Sequence, residues 1–210
     1  DVVNTSATSL IEIINDILDF EKVEAGRIEL VEEPFSPADV LSGIAGLLRP
    51  QARAKGLEVG LVLAPDLPEL VVGDAQRLRQ VVLNLAGNAV KFTTRGHVIV
   101  YATYSALDDD QVMLRFEVLD TGIGIPAEDR KRLFLAFEQS DNSTTRKYGG
   151  TGLGLAIVKH VLTRHGARLD IQSIPGKGST FSALFPAQRL ATETASATVI
   201  PFPAQEHAAG

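Results

Sequence analysis

One stretch constrains this chain more than any other. Residues 75–92, AQRLRQVVLNLAGNAVKF, follow Asp74, which is suited to cap a helix, and the pattern predicts a helix running through Phe92. Leu78, Val81, Val82, Leu85 and Ala89 share one side of the helical wheel and require a core to cover them. Gln80, Asn84, Asn88 and Lys91 fall at i, i+4, i+8 and i+11 and form a separate narrow stripe. A solvated face more usually mixes Glu with Lys. Amide oxygens suit a hard cation such as Mg²⁺, and a lysine neutralises phosphate. A polar face that merely lacks acids is the alternative, and the helix alone does not decide between them.

The pattern on either side places this helix in a mixed architecture. Residues 1–25 read as an amphipathic helix, with Leu10, Ile13, Ile17 and Phe20 at spacings of three and four and Gly26 placed to end it. This seam suits a coiled coil or bundle. RIELVEEPF reads as a strand. Residues 37–55 read as a helix with Leu41, Ile44, Leu47 and Leu48 on one face. Strands follow at 57–64 and 69–74, and two longer ones at about 96–106 and 112–120, separated by LDDDQ. A short helix is expected after Pro126. Residues 139–150 are polar without periodicity and read as a mobile loop. A helix at about 152–165 leads into a hairpin, RLDIQSI, PGKG and STFSALFP. The Ala/Thr/Pro-rich tail from Gln188 has little to bury and is expected to be disordered. The predicted class is α+β, a mixed sheet with helices on one face, although alternation alone also allows a doubly wound fold.

Composition narrows the chemistry. The chain has no cysteine, which excludes disulfides, thiolate metal sites and a cysteine nucleophile. Its formal net charge is −6 with no basic run, so nucleic acid is not an expected partner. No apolar stretch reaches the roughly 18–20 residues of a membrane span. No signal peptide is apparent, and no membrane contact is expected. Asp1 opens the chain in what reads as the middle of a helix, so a piece of a longer protein is expected.

Three further segments hold candidate chemistry. In MLRFEVLDTGIGIP, Val112, Leu114, Phe116 and Val118 share a strand face that Asp120 continues. An acid ending an apolar row is costly unless paired. Gly122 and Gly124 let the backbone turn and a flat ligand approach, so Asp120 is placed to accept from an exocyclic amine such as that of adenine. A strand-end acid capping a turn is the plainer alternative. In YGGTGLGLAIVKH, Gly149, Gly150, Gly152 and Gly154 precede an apolar helix, whose N-terminal amides suit phosphate. A Rossmann fingerprint fails because no strand precedes these glycines, and a P-loop fails because no Gly-Lys-Ser/Thr follows. PGKGSTF, alone, is a hairpin turn from which Thr180 can pair with the Asp120 strand.

The order of these segments carries more than any one of them. An Asn/Asn/Lys helix, D-T-G-I-G-I, LFLAFEQ, a polar loop ending in G-G-T-G-L-G-L, and G-K-G-S-T-F resemble the N, G1, F, G2 and G3 boxes of sensor histidine kinases. The resemblance covers about residues 1–187. TSATSLIEIINDILDFEKVEAGRIEL resembles the second helix of that family's dimerisation and phosphoacceptor hairpin, in the manner of hybrid kinases. IVKHVLTRHGARLDIQSIPGKGSTF is more similar to phosphate-regulon sensors.

The resemblance implies a two-layer α/β sandwich of the Bergerat (GHKL) type, preceded by one long hairpin helix. It divides the chain into a partial hairpin (1–27), a catalytic ATP-binding domain (28–187) and a tail (188–210). It implies ATP and Mg²⁺ as cofactors. By motif, Asn88 ligates the metal, Asn84 supports the phosphates and Lys91 neutralises them. Asp120 accepts from the adenine amino group, and Gly122 and Gly124 admit the purine. Thr180 joins a water network at the base. Gly150, Gly152 and Gly154 wrap the triphosphate, Arg146 stabilises the γ-phosphate, and Phe134 and Phe137 anchor the lid. The implied reaction moves a phosphoryl group from ATP to a histidine and onward to an aspartate of a response-regulator receiver domain. It also implies a homodimer through the hairpin and a cytoplasmic location beside a possible membrane anchor. The acceptor histidine is expected upstream of residue 1, since His97, His160, His165 and His207 do not match it. Related ATP hydrolases place a glutamate four residues before the magnesium asparagine, where this chain has Asn84. A hydrolase and an ATP-responsive docking module are the competing expectations.

Overall fold

The computed structural model describes Glu21 and residues 31–130, 132–134 and 153–190. The predicted hairpin helix lies outside these residues apart from Glu21. The 139–150 loop and residues 191–210 lie outside them too. Strands β1 (Glu33–Phe35), β2 (Glu58–Leu63), β3 (Leu70–Gly73), β4 (His97–Ala106), β5 (Gln111–Asp120), β6 (Arg168–Ile174) and β7 (Gly178–Leu190) form one seven-stranded sheet. Helices α1 (Pro37–Ala54), α2 (Ala75–Phe92) and α3 (Gly154–Arg164) are interleaved with them.

The sheet runs in the order β1-β3-β7-β5-β4-β2, with β6 also on β7. Among the described residues only β2 and β4 are parallel; the other pairs are antiparallel, which makes the sheet mixed and rules out the doubly wound alternative. Strand β7 organises it. One edge pairs with β5 along Ser179–Gln188; the other takes β6 from Gly178 to Leu184 and then β3 at Gln188–Leu190. The strand therefore continues three residues into the segment expected to be tail. Its pairing with Leu70–Val72 supplies the backbone partners that composition could not show.

Strict alternation decides which face is covered. Val98, Val100 and Ala102 of β4, Val112, Leu114, Phe116 and Val118 of β5, and Phe181, Ala183, Phe185 and Ala187 of β7 are buried in register beneath the helices. Phe116 meets Phe185 edge to face, with ring centroids 6.0 Å apart. The opposite face carries Arg115 and Glu117, and Glu117 accepts from the Ser182 hydroxyl at 2.8 Å. The result is two layers, as the period-two pattern requires.

Helix α2 lies centrally among the helices. Leu78, Val81, Val82, Leu85 and Ala89 are all buried, as their spacing predicts, together with Ala86 and Val90. Asp74 caps its start: Oδ1 accepts from the Arg77 N–H at 2.9 Å, and Oδ2 from the Val31 N–H at 3.3 Å. The helix expected after Pro126 is a series of turns instead, closed by Arg132 and Leu133 N–H groups on the Asp129 carbonyl. Asp74→Ala removes both bonds to a buried carboxylate. It is expected to cost about 1–2 kcal/mol, read as a lower urea midpoint at unchanged slope.

Candidate nucleotide site

The site is assembled where α2 ends and β5 ends. The last turn of α2 lies directly on the D-T-G segment. A Cβ on Gly122 would sit 2.7 Å from the Phe92 carbonyl oxygen, 2.9 Å from Asp120 Oδ1 and 3.0 Å from Thr93 Oγ1. Only glycine permits that approach. Gly124 has φ +67° and packs against the Ile174 carbonyl, where any side chain would overlap the backbone. The Gly176 N–H donates to Ile123 O at 2.7 Å, so the PGKG turn is sewn to the G-I-G loop.

Asp120 is the buried acid of this recess, only 8% exposed. Its Oδ1 accepts from the Gly122 N–H at 2.8 Å. Burial pushes its carboxyl above the usual aspartate range, and hydrogen bonds from Gly122 and from the Ser179 backbone and hydroxyl oppose this. Ser179 in turn shares a 3.0 Å hydroxyl contact with Ser173, whose oxygen also accepts from the Ile125 N–H at 2.7 Å.

Register places Thr180 on the strand expected and shows which residue faces it. Thr180 does lie on the strand next to β5, but it pairs with Leu119, while Ser179 pairs with Asp120. Directly paired residues share a face, so Thr180 lies on the sheet's other side and Ser179 stands beside the carboxylate. The signal was available: Ser179 is in phase with Phe181, Ala183 and Phe185, and Thr180 is not. Ser173 and Thr93 were also missed. Thr93 is 1% exposed, and its hydroxyl has no hydrogen-bond partner among the described residues.

The amide stripe flanks this recess. Gln80, Asn84, Asn88 and Lys91 are all part-buried on α2. Asn84 Oδ1 lies 3.0 Å from where a Cβ on Gly154 would be, so the start of α3 rests on the stripe. Lys91 stands over the Phe92 ring at 5.1 Å. Its pKa is lowered, first by burial and then by the Lys55 charge. Gly122 therefore lies between Asp120 and the end of α2, and Gly154 lies against Asn84 of the same helix, which also carries Asn88 and Lys91; Thr180 lies on β7 opposite Leu119. Arg146, Gly150, Gly152 and Phe137 lie outside the described residues; Phe134 falls in the turns after Pro126. Two histidines face inward: His165 shares an Nδ1 contact with the Val161 carbonyl at 2.8 Å, and the Nε2 atoms of His160 and His165 are buried.

Among the described residues no group of three or more His, Cys, Asp or Glu side chains could hold a metal. The oxygen donors available on the stripe are amides. That set fits Mg²⁺ held by one side chain, with phosphates and water as its other ligands. It does not fit a metal caged by the protein alone.

Residues 73–189 match the histidine kinase-, DNA gyrase B- and HSP90-like ATPase family, and the chain belongs to it. Over 179 residues it is 43% identical to the signal transduction histidine-protein kinase BarA of Escherichia coli, covering 85% of this chain and 20% of that protein. It is 44% identical over 180 residues to the sensory/regulatory protein RpfC of Xanthomonas campestris pv. campestris, covering 85% of this chain and 25% of that one. The chain thus spans a fifth to a quarter of these relatives. The full-length crystal structure of ShkA in complex with AMPPNP superposes with a TM-score of 0.78 at 37% identity, covering 91% of this chain and 38% of that one. Fold and relatives make this the ATP-binding catalytic domain of the sensor histidine kinase type.

Two predictions follow from the buried carboxylate and the register. Because the folded pKa of Asp120 is raised, the folded state holds its proton more tightly than the unfolded one. Its contribution to stability is therefore present at acid pH and lost as pH rises through the folded value. Asp120→Asn keeps an oxygen for the Gly122 N–H and removes the buried charge. It is expected to melt no lower than wild type at pH 7 while losing nucleotide binding, by calorimetry. Ser179→Ala is expected to weaken ATP binding about fivefold to tenfold, the worth of one hydrogen bond. Thr180→Ala is expected to leave it within about twofold, both by isothermal titration.

Proposed function

We propose that this chain binds Mg·ATP in the recess between α2 and β5 and passes the γ-phosphoryl group to a histidine on a separate helix, for relay to an aspartate of a receiver domain. The observation that carries the reading is a buried, raised-pKa carboxylate at a backbone-lined floor, beside a stripe of amides and one lysine. A carboxylate there accepts from the exocyclic amine of adenine. The close-packed glycine backbone at 122 and 124 leaves a flat surface for a purine. Ser179 holds the carboxylate in orientation.

Asn88 is the proposed metal ligand, Asn84 supports the phosphates, and Lys91 neutralises them. Gly154 offers the first amides of α3 toward the same charge. Arg146, Gly150 and Gly152 are assigned by motif to the γ-phosphate and the triphosphate wrap. Bound Mg²⁺ supplies charge neutralisation across the phosphate oxygens. The chain's own part is positioning and electrostatics, which is most of what phosphoryl transfer needs. Transfer is favoured over hydrolysis because Asn84 stands where a general base would be needed, and an amide takes no proton from water. No described helix is long and apolar enough to cross a membrane. The reading extends to a homodimer through residues 1–27 and to work in the cytoplasm.

The decisive experiment supplies a separate family hairpin bearing its histidine, with γ-labelled ATP and Mg²⁺. Label is expected to appear on the hairpin in an acid-labile, alkali-stable form, as a phosphohistidine does. Nucleotide binding with no label on the hairpin would instead mark an ATP-responsive docking module. Asn88→Ala is expected to bind ATP with the same weak affinity in magnesium and in EDTA, by titration calorimetry.

A further inference from the structure

The last carbonyls of an α-helix have no partner within the helix. In α2 they belong to Ala89, Val90, Lys91 and Phe92. Ala89 O accepts from the Thr93 N–H at 3.0 Å, and Phe92 O lies against Gly122. The other two accept from one side chain of a different helix end. Lys55 Nζ donates to Val90 O at 2.8 Å and to Lys91 O at 2.9 Å.

We propose that Lys55 is a positioning residue for the phosphate groups of the nucleotide, because its ammonium caps the final turn of α2 and so fixes where Asn88 and Lys91 meet those phosphates. This rests on the reading of the site given above. Lys55 touches no ligand in this account; it acts through the turn it closes.

Three observations support the assignment. First, the backbone beneath Lys55 is locked. It is the C-cap of α1, and its N–H donates to Ala52 O at 3.0 Å. Gly56 follows at φ +67°, and the Leu57 N–H returns to Ala52 O at 2.9 Å, a Schellman closure. The next residue, Glu58, is tied to Gly96 O at 3.1 Å. The ammonium is thus delivered from a fixed base across only its own stem. Second, a cation at a helix C-terminus meets the negative end of the macrodipole, so the cap is favoured electrostatically as well as by hydrogen bonds. Third, the turn it closes contains Lys91 and directly follows Asn88. The Lys55 charge is also felt at Lys91, second to burial in lowering its pKa. Phosphoryl chemistry is sensitive to misplacement of about 1 Å, and an uncapped terminal turn frays.

The test uses the 210-residue chain with Lys55→Met, which keeps the stem and removes the ammonium, and Lys55→Arg, which restores a cation with donors. Mg·AMPPNP affinity is measured by titration calorimetry, adenosine affinity by NMR shifts, and the Thr93 amide by hydrogen exchange. Lys55→Met is expected to weaken Mg·AMPPNP about tenfold, leave adenosine within about twofold and speed exchange at Thr93. Lys55→Arg is expected to recover most of the lost affinity. A structural role alone would lower both affinities together with the melting temperature, and that result overturns the proposal. So does wild-type Mg·AMPPNP affinity in Lys55→Met. Failure of the wild-type chain to bind nucleotide would sink the reading of the site, and this proposal with it. Binding by wild type with an indifferent Lys55→Met sinks only the proposal.

Discussion

The end of α2 presses on the backbone at Gly122, and the rest of the site is arranged around that contact. It fixes the distance between a helix that displays amides and a strand that ends in a carboxylate. Neither element could hold that spacing alone. The helix is seated by its apolar face on β4 and β5, through residues such as Leu85 and Phe116 that are wholly buried. The strand is seated by β7, which pairs with it along ten residues from Gln111 to Asp120. Packing energy thus sets the register, and the register sets the site.

The same contact explains an otherwise unfavourable charge. Taking Asp120 out of water raises its pKa and costs stability when it is ionised. The Gly122 amide and the Ser179 hydroxyl offset part of that cost. What remains is the kind of local disadvantage that functional groups commonly carry. Lys91 shows the converse on the facing helix, a cation whose charged form is disfavoured by burial and by a neighbouring ammonium.

Much of this was legible from residues alone, for identifiable reasons. The buried face of α2, the Asp74 cap and the strand phases of β4 and β5 all follow from period and from local chemistry. The motif order named the family and its fold before any geometry was known. Two things were not legible, each because it depends on non-local pairing. Gln188–Leu190 read as tail, since nothing local reveals that β3 is waiting to pair with it. The Lys55 contact joins residues 35 and 36 positions apart and leaves no trace in either helix's pattern.

The floor of the recess is made of main chain: Gly122 against the Phe92 carbonyl, Gly124 against the Ile174 carbonyl, and Gly178 against that of Asp120. Surfaces of that kind keep their outline while side chains around them drift. A small molecule that reads only the floor meets main-chain atoms and little that is particular to these side chains. Selectivity has to be sought at the rim, where Ile123 and Ile174 stand 45% and 56% exposed. An inhibitor reaching those two side chains would gain apolar contact that the main-chain floor does not offer.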